Sequence, residues 1–265
     1  MNGQSIRNAV WGKGGAMPLA GAGAAGADWR PGLRPSCHNE IFASAADGGG
    51  VAAAMALALD GLRAMAEAPG MNRNERPTVG LQSVLWVQDR EAMRLSGRPY
   101  WPGLPRAMRG HVIHVAAETP ADALFALEEG VRCRDLACVI GELAGNPRAL
   151  TFTASRRLSL MAERHGVPLY LIRLDAVRDL GSARMRWHIR SAPSRLARWD
   201  ERAPGQSEWR AELFRARGYK PGEWNLRDDG QSLAAGRAIP ADQPDIPPHS
   251  GDLVDTVGDR TLAAF

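Results

Sequence analysis

Apolar residues along this chain fall into short, nearly continuous runs, and the segments between them carry helical spacing or turn residues. Ile41 and Phe42 open a brief strand that runs into small residues and Gly48-Gly49-Gly50. Val51 to Ala66 is apolar on most faces and predicts a helix buried between a sheet and its neighbours. Ala68 to Pro77 is a polar loop. Leu81 to Gln88 predicts a strand covered on both faces, and Tyr100 to Pro105 a stiff aromatic loop. His111 to Ala117 is a third strand. Thr119 caps a helix from Pro120 to Arg132, whose proline sits in the first turn, where a missing N–H costs nothing. Ala137 to Leu143 is a fourth strand. Thr153 is expected to cap a helix reaching His165, with Ala154, Leu158, Met161, Ala162 and His165 on one stripe. Val167 to Leu174 and Arg184 to Ser191 complete the strands. Apolar strands alternating with helices predict an α/β fold, a mainly parallel sheet with helices on both faces.

The flanks read differently. Residues 1–35 are rich in Gly and Ala and predict a disordered arm, and 229–265 a disordered tail. Residues 36–192 form the expected α/β core. Residues 193–228 interleave tryptophans with arginines and predict an extension of strand or short helix, a Gly-Tyr turn and a final strand.

Composition changes this picture little. A hydrophobic content of 45% and a charged content of 23% suit an ordinary soluble domain. The net charge is +4, and all but two of the 33 basic residues are arginine, a composition suited to carboxylate, phosphate or protein contacts. Three cysteines (Cys37, Cys133, Cys138) without disulfide spacing fit a reducing compartment. With no membrane-length apolar run, a cytoplasmic location is the expectation.

Candidate chemistry centres on Glu40 to Asp60. Strand, glycine turn and helix is the layout of a phosphate-binding loop, in which backbone N–H groups and a helix N-terminus hold an anion. Asp47, Gly48, Gly49 and Gly50 are its candidate residues. Phosphoryl chemistry also needs a lysine and a Ser/Thr hydroxyl. Counting from Ala43, Gly49 and Gly50 fill those places, and the two lysines, Lys13 and Lys220, lie elsewhere. The loop therefore reads as a degenerate one, without catalytic residues, with nucleotide and magnesium not expected. Glu142, at the end of the fourth strand, is the candidate for a metal- or water-binding carboxylate, against the plainer reading of a solvated strand-end charge. Asp89 and Glu91 are alternative carboxylates or ordinary loop charges. His111, His114, Cys133 and Cys138 lack zinc-ligand spacing, and residues three apart on a strand face opposite ways, so no metal site is expected. Trp199, Trp209, Arg210, Arg215, Arg217 and Trp224 fit three readings: a protein-binding hot spot, a single-stranded nucleic-acid surface, or a cover for an open sheet edge.

Several stretches together resemble one family: HNEIFASAADGGGVAAAMALAL, VLWVQ, YWPGL, ALFALEEGVRCRDLACVIGEL, LTFTASRRLSLMAERHGVPLYLIRL, MRWHIRSAPS and SEWRAELFRARGYKPGEWNL, in that order over about Ser36 to Leu226. The chain resembles the ImuA family, RecA-like accessory proteins of the bacterial inducible mutasome, in its alphaproteobacterial form. The resemblance implies a RecA-like (P-loop NTPase-like) fold and expression after DNA damage. It also implies work beside ImuB, an error-prone DnaE-type polymerase and RecA. On these grounds the chain is expected to be a non-catalytic adaptor in translesion synthesis. A nucleotide-dependent ATPase that binds single-stranded DNA is the alternative, and a SulA-like cell-division inhibitor a weaker one.

Overall fold

The computed structural model describes residues 38–66, 82–106, 108–194, 203, 205–217, 220–228 and 233–237. In chain order the elements are β1 (His38–Ala43), α1 (Gly49–Ala66), β2 (Ser83–Asp89), α2 (Arg90–Ser96), β3 (Val112–Ala117), α3 (Pro120–Arg132) and β4 (Leu136–Ala144). There follow α4 (Phe152–His165), β5 (Leu169–Leu174), β6 (Met185–Ala192), β7 (Glu208–Ala216), β8 (Gly222–Asp228) and β9 (Leu233–Arg237). All nine strands form one sheet in the order β3-β2-β4-β5-β1-β6-β7-β8-β9. Strands β1 to β6 run parallel, and β7, β8 and β9 are added antiparallel. This is the mainly parallel α/β architecture expected of a RecA-like fold.

Helices cover both faces. On one, α1 and α2 pack over Val84, Trp86, Cys138, Ile140, Tyr170 and Ile172. On the other, α3 and α4 cover Leu85, Val87, Val139, Leu143, Leu169 and Leu171. Alternate residues of each central strand thus enter different cores, which is why these strands read as unbroken apolar runs. Among the described residues no helix is long and apolar enough to cross a membrane.

Local signals place most ends. The Thr119 hydroxyl accepts from Asp122 N–H and starts α3. The cap of α4 is Thr151 rather than Thr153: its hydroxyl accepts from Ala154 N–H, and Phe152 is already helical. Gly166 closes that helix in the left-handed region. Helix α2 occupies what the sequence suggested was a loop, because the Asp89 carboxylate accepts from Ala92 N–H at 2.7 Å and nucleates it.

Two departures concern the C-terminal part. Residues set apart as an extension continue the core sheet, with β7 pairing along β6 from Met185 to Ala192. Within the stretch expected to be a disordered tail, Leu233–Arg237 pairs with β8, and Leu233 is buried. LAAGR has no alternation of its own to announce a strand; the open edge of β8 supplies it. The N-terminal arm and residues 238–265 lie outside the described residues.

Candidate functional site: a closed phosphate-type loop

The chain leaves β1 at Ala43, turns through Ser44 to Gly48 and enters α1 at Gly49, so the expected strand–turn–helix is present. Gly48 has φ +64°, a conformation that needs glycine. The next two glycines serve packing. A Cβ on Gly50 would stand 2.1 Å from Ala43 Cβ, and one on Gly49 would stand 2.4 Å from Ser191 Oγ and 3.2 Å from Trp209 Cδ1. Ala43 has no rotamer by which to move away. The position where a working loop carries its hydroxyl is therefore closed by Ala43, and the lysine position is crowded by Ser191, Asp47 and Trp209.

The loop also carries its own anions. Asp175, in the left-handed region at φ 52°, accepts from Ala45 N–H at 3.0 Å and from Ser44 Oγ at 3.1 Å. Asp47 accepts from Ser191 N–H at 2.8 Å and ties the turn to β6. One of the N–H groups that could meet a phosphate is thus already held by a carboxylate. An open pocket of about 370 Å³ adjoins the turn, lined by Asp47, Gly48, Gly49, Ser191, Glu208 and Trp209 among others. Two carboxylates on its wall oppose an anionic ligand.

Glu142 is not a solvated strand-end charge. It is buried on β4, where Oε1 accepts from Trp86 Nε1 at 2.6 Å and Oε2 from Ser96 Oγ at 2.9 Å. Burial pushes its carboxyl above the usual range, against the opposing hydrogen bonds from Ser96, Trp86 and Gln88, and Asp89 adds repulsion. It stands in register with Ile172 of β5, which neighbours Ile41 of β1, so two strand spacings, roughly 10 Å, separate it from the strand that leads into the loop. Oε1 is thus held by β2 and Oε2 by α2. Asp89 is likewise buried as the α2 cap, and its carboxyl is raised chiefly by burial. Glu91 is exposed and paired with Arg94.

The tryptophan–arginine segment is mostly strand interior. Trp209, Ala211 and Leu213 of β7 and Trp224 and Leu226 of β8 point into the core over α1, and Trp224 meets Trp187 edge-on at 6.1 Å between ring centroids. The arginines between them point outward: Arg210 pairs with Glu223 at 2.6 Å, and Arg215 donates to the Gly181 carbonyl. Arg217 is exposed, with its backbone N–H on the Arg184 carbonyl. Alternation of aromatic and arginine is thus the two-residue period of a half-covered antiparallel sheet. A partner surface built on Trp209 and Trp224 is excluded by their 3% exposure. Trp199 lies outside the described residues.

His111 precedes β3, and His114 Nε2 faces Gln88 Oε1 at 2.9 Å. Cys133 is exposed at the end of α3; Cys138 is buried in β4, with its thiol pushed up to about 12 by burial. Among the described residues no group of three or more His, Cys, Asp or Glu is placed to hold a metal ion.

The chain is 32% identical over 193 residues to Protein ImuA of Caulobacter vibrioides strain NA1000 / CB15N, covering 69% of this chain and 70% of that protein. The same values hold for Protein ImuA of strain ATCC 19089 / CB 15. The chain belongs to the ImuA family. No family model matches it.

This ImuA-family protein also contains polar clusters that its sequence did not announce. Glu40 of β1 is buried between two arginines, accepting from Arg173 Nη1 at 2.8 Å and Arg186 Nε at 2.5 Å. Both guanidinium groups reach Asp179 at 3.3 Å, and both lie over the Phe42 ring. Beside them His38 Nδ1 meets Ser159 Oγ at 2.7 Å, and Ser159 Oγ meets Ser182 Oγ at 2.7 Å. Burial, then the charges of Arg186 and Arg184, lowers the His38 imidazole to about 3, so it is neutral. These groups tie the segment between β5 and β6 onto β1 and α4. A charged residue inside an apolar strand, as in HNEIF and LYLIRL, is the only sequence signal they leave.

Proposed function

We propose that this ImuA-family protein is a non-catalytic adaptor of the damage-inducible mutasome. In this reading it works in the cytoplasm with ImuB and a DnaE-type polymerase, and with RecA as a further contact, in error-prone translesion synthesis. Family membership supports the setting. One observation supports the non-catalytic part: glycines stand in the places of the phosphate lysine and the magnesium hydroxyl, and a side chain would collide with Ala43 at Gly50 and crowd Ser191, Asp47 and Trp209 at Gly49. Phosphoryl transfer relies on such groups for positioning and charge stabilisation, and a loop that bears Asp47 and is held by Asp175 from the end of β5 presents charge of the opposite sign. Glu142, the one carboxylate that favoured the ATPase reading, is committed to Trp86 and Ser96.

The test has two arms. Phosphate release by the purified protein with single-stranded DNA is expected to stay at background, and capture of ImuB or RecA to be the same with and without ATP. Gly49→Lys with Gly50→Thr is expected to destabilise the protein by about 1–3 kcal/mol through overpacking rather than to create nucleotide binding. Turnover by the wild-type protein, or tight ATP binding by the double variant at unchanged melting temperature, overturns the reading.

A further inference from the structure

The segment between β5 and β6 has its polarity turned inside out. Its polar groups are nearly all used inward. Asn146 Nδ2 donates to the Val177 carbonyl at 2.9 Å while its Oδ1 accepts from Val177 N–H at 2.8 Å. Asp179 holds Arg173 and Arg186, and the Gly181 carbonyl accepts from Arg215. Ser182 meets Ser155 and Ser159 of α4, and Arg178 pairs with Glu212 over the Phe214 ring. Asp175 and Arg178 are exposed as well but are engaged with Ser44, Ala45 and Glu212, and the exposed side chains without such a partner are apolar: Val177 is 75% exposed and Leu180 78%. A surface loop ordinarily does the reverse, and an exposed apolar group on a firmly anchored support marks a contact surface.

The strip beside it extends the pattern. Asn146 donates to the Val177 carbonyl and Ser155 Oγ accepts from Ser182 N–H, which brackets residues 147–154 against this segment, with Arg148 and the half-exposed Phe152 between those anchors and Arg156 next on α4. Arg148 and Arg156 are exposed and have no ion pair among the described residues, whereas the nearby Asp179 is spent on Arg173 and Arg186. The face therefore has apolar side chains at its centre and two arginines without an ion pair among the described residues at its rim.

We propose that Val177, Leu180 and Phe152, rimmed by Arg148 and Arg156, form a docking surface for an acidic protein segment bearing leucine or phenylalanine. Two of the three central side chains, Val177 and Leu180, are aliphatic and offer no face for a base to stack on, which favours a protein partner over single-stranded nucleic acid. The inference rests on the adaptor reading and gives it a surface. It is tested with the full chain and a fluorescein-labelled peptide in which Asp and Glu alternate with Leu and Phe. Controls are a lysine version, a version with serine in place of the apolar residues, and labelled oligothymidylate. The wild-type protein is expected to bind the acidic apolar peptide best. Val177→Asp with Leu180→Asp, and separately Arg148→Glu, should each weaken that binding at least tenfold, with wild-type melting curves. Equal binding by the variants, no preference over the control peptides, or loss of oligothymidylate rather than peptide binding overturns the docking surface. ImuB capture that persists in Val177→Asp, Leu180→Asp protein also overturns it while leaving the adaptor reading standing; ATP turnover by the wild type strikes the adaptor reading alone.

Discussion

Replacing Trp209 by alanine distinguishes a sheet core from a recognition surface. Its indole is 3% exposed, lies against Gly49 at the start of α1 and stands opposite Ser191 of β6 and Leu226 of β8. Truncation removes a large buried ring from a site where strands on both sides are hydrogen-bonded and cannot close the gap. The expected cost is about 3–5 kcal/mol, a large part of the roughly 5–15 kcal/mol available to a domain. At about 2–4 °C per kcal/mol, the melting temperature should fall by roughly 6–20 °C. Arg210, one residue on, points to solvent and pairs with Glu223 at a half-exposed site, so Arg210→Ala should cost about 0–1 kcal/mol. Urea titrations followed by tryptophan fluorescence and circular dichroism measure both, with Trp209→Phe expected to recover part of the loss. Partner capture should follow the folded fraction in every variant. A Trp209→Ala protein that melts within two or so degrees of wild type yet loses a partner would show that the ring is a surface anchor and that the packing argument is wrong.

Two buried ionisable groups give pH signatures of opposite sign. His38 has a folded-state value of about 3 against an ordinary 6.5, so its contribution is complete above the ordinary value and is lost as pH falls. From about pH 7.5 to about pH 5 this amounts to roughly 2 kcal/mol, which His38→Gln should abolish in urea midpoints measured at the two values; parallel losses in both proteins would refute it. Glu142 is raised by burial, so its contribution is complete below the usual carboxylate range and is lost as pH rises through its folded value. Melting curves across that range should therefore show Glu142→Gln gaining on wild type with rising pH, and a constant gap would mean that burial does not raise this carboxyl.

Much of the scaffold is written in local sequence. VLWVQ and LYLIRL announce central strands because both faces of a parallel sheet are covered, and Thr119 announces α3 because its hydroxyl serves a nearby N–H. The absence of lysine beside Gly48-Gly49-Gly50 is equally plain in the chain. What these glycines do instead is decided only in three dimensions. Ala43 meets Gly50 across the turn, Ser191 and Trp209 reach Gly49 from β6 and β7, and Asp175 arrives at Ala45 from the end of β5. The same holds for Glu40, which meets Arg173 and Arg186 across 133 and 146 residues of chain. The tryptophans of β7 and β8 show the limit most sharply. Their spacing with arginine is a period of two that suits a half-covered strand and a recognition surface alike. Only the addition of β7 and β8 to the edge of β6, under α1, turns the rings inward. Propensity and periodicity act over a few residues, whereas which face of a strand is covered depends on elements far away in sequence, and here that assigned the tryptophans to the core and left Val177 and Leu180 to the solvent.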